Sequence, residues 1–93
     1  MAQIDKKHAV KALQRIPGVG ISIAHDLWNI GITDIDQLIG EDPIALYNAS
    51  NKFAGVVQDR CLLYVFRCAV YFAQTPEHQW DPKKLKWWNW KTL

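Results

Sequence analysis

Apolar residues recur at helical spacing on both sides of a short proline- and glycine-containing segment near the start of the chain. Spacings of three or four positions are typical of amphipathic helices. The segment itself, Pro17–Gly20, cannot lie inside a helix, because proline lacks an amide proton and glycine weakens helices. The pattern therefore predicts two helices that meet at a very tight turn. The apolar positions are Ala9, Ala12, Leu13 and Ile16 before the turn and Ile23, Ala24, Leu27 and Trp28 after it.

The first helix is predicted from about Ile4 to Ile16, and the second from about Ser22 to Ile30. Because the second helix begins directly after the turn, its unpaired amide groups and its positive dipole end are expected to point outward beside Gly20. Glycine leaves no side chain between the main chain and a ligand, and such a helix start suits a small anion such as phosphate. The sequence therefore predicts an anion site at the turn.

Two shorter helices are predicted after the second helix. Thr33 or Asp34 would cap the first of them, and Asp42 would cap the next, with Pro43 in its first position. This pair has no Gly-x-Gly segment, so we expect it to have a structural role. The polar residues 48–52, which follow, are interpreted as a connection.

The longest apolar segment runs from about Ala54 to Ala73 and predicts a central helix that is buried on nearly all sides. Arg60 and Arg67 interrupt it, and its dense apolar part is too short to span a membrane. We expect Arg67 either to reach the surface with its charged end or to pair with an acid such as Asp34 or Asp36.

The last part of the chain, residues 77–93, contains four of the five tryptophans together with four lysines. We favour a tail that docks on the domain, where its indoles enlarge a small core. Two alternatives remain open, which are stacking on single-stranded nucleic acid and anchoring of a partner protein. The residues that would form such a nucleic-acid or partner surface are Trp87, Trp88, Trp90 and Lys86.

Composition indicates a single globular domain, because 49% of the 93 residues are hydrophobic and 22% are charged. The first residues contain no apolar signal region, and two cysteines fit reduced thiols better than a disulfide framework. We therefore expect a cytoplasmic protein without a membrane partner.

Charge is distributed unevenly along the chain. The net charge is +2 over residues 1–30, −4 over residues 31–59 and +4 over residues 60–93. This is not the uniformly basic surface of a tight DNA-binding protein, so any nucleic-acid contact is expected to be local and weak. Lys7, Lys11 and Arg15 are four residues apart and are expected to line one exposed helix face that leads to the turn.

Three segments of the chain resemble a known family. The pattern Leu-x-x-Ile-Pro-Gly-Val-Gly-x-x-x-Ala-x-x-Leu at residues 13–27 resembles the helix-hairpin-helix motif of DNA-binding and DNA-repair proteins. Together with residues 59–71 and 85–90, it is similar to the small bacterial "pathogenicity locus" family, some members of which are labelled mitomycin resistance proteins. Together, the helical patterns and this resemblance predict a compact all-α bundle of about five helices built on the helix-hairpin-helix motif, with a helix-hairpin-helix domain over residues 1–76 and a docked tail over residues 77–93.

The resemblance also implies a site. In the helix-hairpin-helix motif, main-chain amides hold a DNA phosphate, nearby basic side chains add contacts, and several such proteins bind a monovalent cation through hairpin carbonyls. The matching phosphate-binding residues are Gly18, Gly20, Ser22 and Ile23, with Arg15 and Lys11 as basic neighbours. The matching carbonyls for a monovalent cation are those of Gln14, Ile16 and Val19.

These observations predict a module that binds DNA without sequence specificity, as an accessory to DNA repair or damage tolerance. The chain departs from many DNA-binding hairpins at Ile21, where a basic or polar residue is common. Such hairpins also serve as protein-interaction scaffolds, so a protein–protein interaction module that uses the hairpin surface or the tail is the alternative. No catalytic or metal-ligand motif is present in the sequence, and we expect neither enzymatic activity nor a cofactor beyond that cation.

Overall fold

The computed structural model describes residues 5–92, and every regular element within them is helical. The predicted all-α class is confirmed, and the expected five or so helices correspond to four α-helices and four short 3-10 helices. The Cα radius of gyration, 12.7 Å, is what one folded domain of this length has. The α-helices are α1 (Lys6–Leu13), α2 (Ile21–Asn29), α3 (Pro43–Ala54) and α4 (Cys61–Gln74). The 3-10 helices are Ile35–Leu38, Glu77–Gln79, Pro82–Leu85 and Trp87–Trp90.

Helix α1 is shorter than its predicted range. Its predicted start at Ile4 lies outside the described residues, and the carboxylate of Asp5 caps the helix by accepting the Lys7 amide at 2.9 Å. The helix ends at Leu13 because the next amides bond to carbonyls three residues earlier, as Ile16 does to Leu13 at 3.1 Å. The chain therefore tightens into turns before it reaches Pro17.

The polar residues 48–52, predicted as a connection, lie inside α3. As predicted, Asp42 caps this helix by accepting the Ile44 amide at 2.9 Å, and Pro43 occupies its first turn. The helix then continues to Ala54 and ends at Gly55, whose φ of +75° is the left-handed conformation of many helix ends. The predicted connection at residues 48–52 is therefore wrong, because the loop between α3 and α4 begins only at Gly55.

The polarity of α3 has a packing reason. The Ser50 hydroxyl is buried and accepts the Gln58 side-chain amide at 2.9 Å, while the Asn51 side chain accepts the Gln58 main-chain amide at 2.9 Å. Tyr47 donates its hydroxyl proton to the Gln58 carbonyl. These polar residues anchor the loop between α3 and α4, which is why a helical segment has the composition of a connection.

Helix α4 is the central element of the core, as the apolar run predicts, but it begins at Cys61 and not near Ala54, which is the last residue of α3. Phe66 and Cys68 are fully buried on it, and α4 contacts α3, the 3-10 helix Ile35–Leu38 and the tail. Burial raises the pKa of the Cys68 thiol to about 11. Arg67 donates to the Trp90 carbonyl at 2.7 Å, a contact that replaces the predicted pairing with Asp34 or Asp36. No helix within residues 5–92 has the length and apolar character that a membrane span requires.

The described part of the tail, residues 77–92, lies along α4. The Trp80 indole stacks on Phe72 with ring centroids 4.5 Å apart and donates its N–H to the Phe72 carbonyl at 3.3 Å. The Trp90 ring lies 5.6 Å from the Tyr71 ring. Trp88 is 50% exposed. The tail thus presents only part of its aromatic surface to solvent.

Candidate nucleic-acid interface

The turn between α1 and α2 is held by its apolar side chains. Ile16 and Val19 point into the core and are 1% and 5% exposed, and the Val19 amide donates to the Ile16 carbonyl at 3.0 Å. Gly18 has a φ of +84°, a backbone conformation that residues with a Cβ rarely adopt. The turn is therefore fixed in place rather than loosely attached.

The start of α2 presents main-chain donors without partners. Gly20 is the N-cap, no side chain caps the helix, and the Gly20 carbonyl accepts the Ala24 amide at 2.9 Å. A Cβ atom built on Gly20 would meet nothing within 4 Å, so the approach is open. Such a helix start is suited to bind an anion. The amides that have no acceptor within residues 5–92 include those of the four predicted residues, Gly18, Gly20, Ser22 and Ile23.

A basic groove of about 670 Å³ lies on one side of this helix start, between α1 and α2. We call it the lysine groove. Ile21, whose side chain is 64% exposed, and Lys11 of the predicted site both line this groove. Arg15 is exposed but does not line it. Three lysines make this side electropositive. The lysine groove is lined by Asp5, Lys6, Lys7, Val10, Lys11, Gln14, Ile21 and His25.

The tail contacts the turn on a second side, at Gly18. A Cβ atom built on Gly18 would lie 2.8 Å from Cδ1 of Trp87, so the indole rests directly on the glycine. Beside this contact lies a second cavity of about 450 Å³, which we call the tryptophan pocket. Its walls come from the turn, α2, the loop between α3 and α4, the first turns of α4 and the tail.

The tryptophan pocket is acidic. Asp26 lies half-buried in its wall, and burial raises the pKa of that carboxyl. Asp59 is exposed, and its carboxylate accepts the Cys61 amide at 2.8 Å, which lowers the pKa of Asp59. The turn therefore has two electrostatically different sides, and only the side with the lysine groove favours an anion.

The tail residues of the predicted surface are divided between two environments. Trp87 and Trp90 are half-buried, whereas Trp88 and Lys86 are exposed. The rings of Trp87 and Trp88 meet edge to face with centroids 5.8 Å apart. A continuous row of free indoles for base stacking is therefore not formed by these residues.

Sequence reasoning missed the tryptophan pocket. Asp26, Gln58 and Asp59, which line it, are not among the predicted site residues. Trp87 is 69 positions from Gly18 along the chain, so no local pattern indicates their contact. Within residues 5–92, His, Cys, Asp and Glu do not form a group of three that could hold a metal ion.

These features define a small all-α protein in which a rigid glycine turn presents the uncapped start of a helix beside a lysine groove. The model of the family described as Pathogenicity locus matches residues 6–93, and the chain belongs to that family, as the resemblance to the family predicts.

A curated relative supports the same assignment. The chain is 38% identical over 69 residues to a protein named Mitomycin resistance protein McrB, from Streptomyces lavendulae. The match covers 73% of this chain and 66% of that protein, so the chain spans slightly less than two thirds of its relative. No solved structure matches the chain.

Proposed function

We propose that the protein is a non-enzymatic module that binds DNA through phosphate contacts at the start of α2. The observation that carries this proposal is the uncapped, sterically open helix start directly beside the lysine groove. Main-chain donors and lysines contact phosphates and do not read bases, so binding is expected to be independent of sequence and strongly dependent on salt.

The proposed phosphate lies on the groove side of the turn. The amides of Gly20, Ser22 and Ile23 would bind it, Lys11 would add charge from the groove, and Arg15 would reach a neighbouring phosphate. The Gly18 amide completes the set, although the Gly18 residue itself also forms the bend that Trp87 covers. The arrangement fits the helix-hairpin-helix motif that the sequence resembles, and a role accessory to DNA repair or damage tolerance follows from that resemblance. The expected cytoplasmic location follows from the composition of the chain.

A monovalent cation belongs to the same proposal. The carbonyls of Gln14, Ile16 and Val19 come from one turn, and carbonyl oxygen is a ligand that monovalent cations accept. The Ile16 carbonyl already accepts the Val19 amide, which leaves its second lone pair for the ion. A cation there would hold the turn and add positive charge close to the phosphate.

The test is a fluorescence-anisotropy titration with labelled duplex, nicked and single-stranded DNA at low and moderate salt. We expect duplex binding that weakens steeply with salt. Lys11→Ala should weaken it about threefold and lower the salt slope by about one phosphate contact. Lys52→Ala, a matched change of an exposed lysine at the end of α3, should leave the affinity unchanged. Absence of duplex binding at low salt, or equal effects of both variants, would refute the proposal.

A protein-interaction module is the second candidate function. The observation in its favour is Ile21, whose side chain is 64% exposed at the edge of the lysine groove, together with the half-exposed Trp88. Large apolar side chains on a surface are frequent anchors of protein partners. In this alternative the helix start is a scaffold and has no phosphate to bind.

Ile21→Lys separates the two functions. If the turn binds phosphate, the added charge beside the helix start should raise duplex affinity about threefold at low salt. If Ile21 anchors a partner protein, the variant should lose that partner and gain no DNA affinity. Anisotropy measured on both proteins at the same salt concentration gives the answer, with circular dichroism as the check that the fold is retained.

A further inference from the structure

We infer that the tryptophan pocket is a binding site for a small, planar organic cation of the amidinium, guanidinium or aromatic-ammonium class. The pocket has a volume of about 450 Å³, which lies within the range of small-molecule sites. This inference does not rest on the proposed DNA contact, because its ligand carries the opposite charge, although Gly18 and Ile23, whose main-chain amides belong to the proposed phosphate site, also line this pocket.

The ionisable groups of the pocket select a cation. Asp26 and Asp59 line it, and no lysine, arginine or histidine is among its lining residues. Asp26 is half-buried, and within residues 5–92 its carboxylate takes part in no hydrogen bond or ion pair. A carboxylate that has lost part of its water without gaining a partner is stabilised by a neighbouring positive charge. Burial raises the pKa of Asp26, in keeping with this incomplete solvation, and the neighbouring His25 opposes that shift only in part.

The walls of the pocket select an organic and planar ligand. Trp87 presents its indole in the wall, and Ile23, Leu62 and Val65 supply apolar surface. Gly18 carries no side chain, so the Trp87 indole lies directly against the turn and forms one wall of the pocket. A cation over an indole face gains the electrostatic attraction of the aromatic ring, which a neutral molecule of the same shape does not.

A metal ion is a poorer fit to the same residues. The His, Cys, Asp and Glu side chains of residues 5–92 form no group of three that could hold a metal. One oxygen of Asp59 is already engaged by the Cys61 amide. Two carboxylates beside an aromatic and apolar wall instead match a ligand with one charged end and a flat body.

The experiment is an NMR titration of the ¹⁵N-labelled full chain with benzamidine and, separately, with its neutral analogue benzamide. Benzamidine is expected to shift the Trp87 indole N–H and the Gly18 amide in a saturable way, and benzamide should bind at least about tenfold more weakly. Asp26→Asn should weaken benzamidine binding at least about fivefold. Asp36→Asn, the same change at an exposed acid outside the pocket, should have no effect.

A second variant keeps the test decisive if Asp26→Asn disturbs the fold. Asp59→Asn removes the other charge, while its side-chain oxygen still accepts the Cys61 amide, and it should also weaken benzamidine binding. Equal binding of the two probes, shifts confined to residues outside the pocket, or no shifts at all would overturn the proposal. None of these outcomes bears on duplex binding, so failure here is distinguishable from failure of the proposed function.

Discussion

Replacing Gly18 by alanine is expected to lower the melting temperature by about 10 °C, because it should remove about 2 kcal/mol of stability from a domain of this size. Gly18 has a φ of +84°, and a residue with a Cβ pays about 1 to 2 kcal/mol to adopt that region. The new Cβ would also lie 2.8 Å from Cδ1 of Trp87, so the indole must move out of its contact.

Gly20→Ala is the matched control for this prediction. Gly20 has a φ of −87° and open space around it, so the new methyl group meets neither strain nor a neighbour. Alanine is a poorer N-cap than glycine, but it also restricts the unfolded chain, and the two effects are of similar size. Thermal unfolding followed by circular dichroism compares the variants. Equal melting temperatures for Gly18→Ala and Gly20→Ala would show that neither the backbone conformation of Gly18 nor its contact with the Trp87 indole stabilises the fold.

Gly20→Val is expected to weaken duplex binding at least tenfold, a loss of about 1.4 kcal/mol, while the fold is retained. The side chain would occupy the open space through which a phosphate must approach the first amides of α2. The main chain at this position is extended, with a ψ of −172°, and β-branched residues adopt that region readily. The expected loss therefore comes from blocked access and not from unfolding.

Anisotropy titrations at one salt concentration measure this effect, with Gly20→Ala as the smaller substitution that should keep affinity within about threefold of the original protein. Nuclear magnetic resonance spectra of both variants establish that their folds agree. If Gly20→Val binds duplex DNA as tightly as the unchanged chain, the turn has no part in DNA binding. The protein-interaction alternative then becomes the better explanation of the exposed Ile21.

The local elements could be predicted because their determinants are local. Pro17 and Gly18 interrupt a helical period, and Asp42 followed by Pro43 marks a helix start. The predictions were wrong where a side chain forms a hydrogen bond with a residue in another segment of the chain. Residues 48–52 are polar because two of them accept hydrogen bonds from Gln58. Arg67 is tolerated in the core helix because its guanidinium donates a hydrogen bond to the Trp90 carbonyl.

The same distinction applies to the candidate site. The free amides at the start of α2 follow from the turn alone, and the structure shows them at the predicted place. The different charge on the two sides of the turn could not be predicted, because it depends on which side Trp87 covers and on where Asp59 lies after the chain has folded. Tertiary contacts between distant segments determine how charge is distributed around the turn.

The contact between Gly18 and Trp87 also has a consequence for biosynthesis. The two residues are 69 positions apart, so the ribosome completes the turn about 3 to 14 s before the indole that covers it has been translated. During that interval the nascent chain can form α1 and α2, but Gly18 remains uncovered and the pocket beside it lacks one wall. Final closure of this region is therefore a late event, which waits for the C-terminal segment to emerge from the exit tunnel.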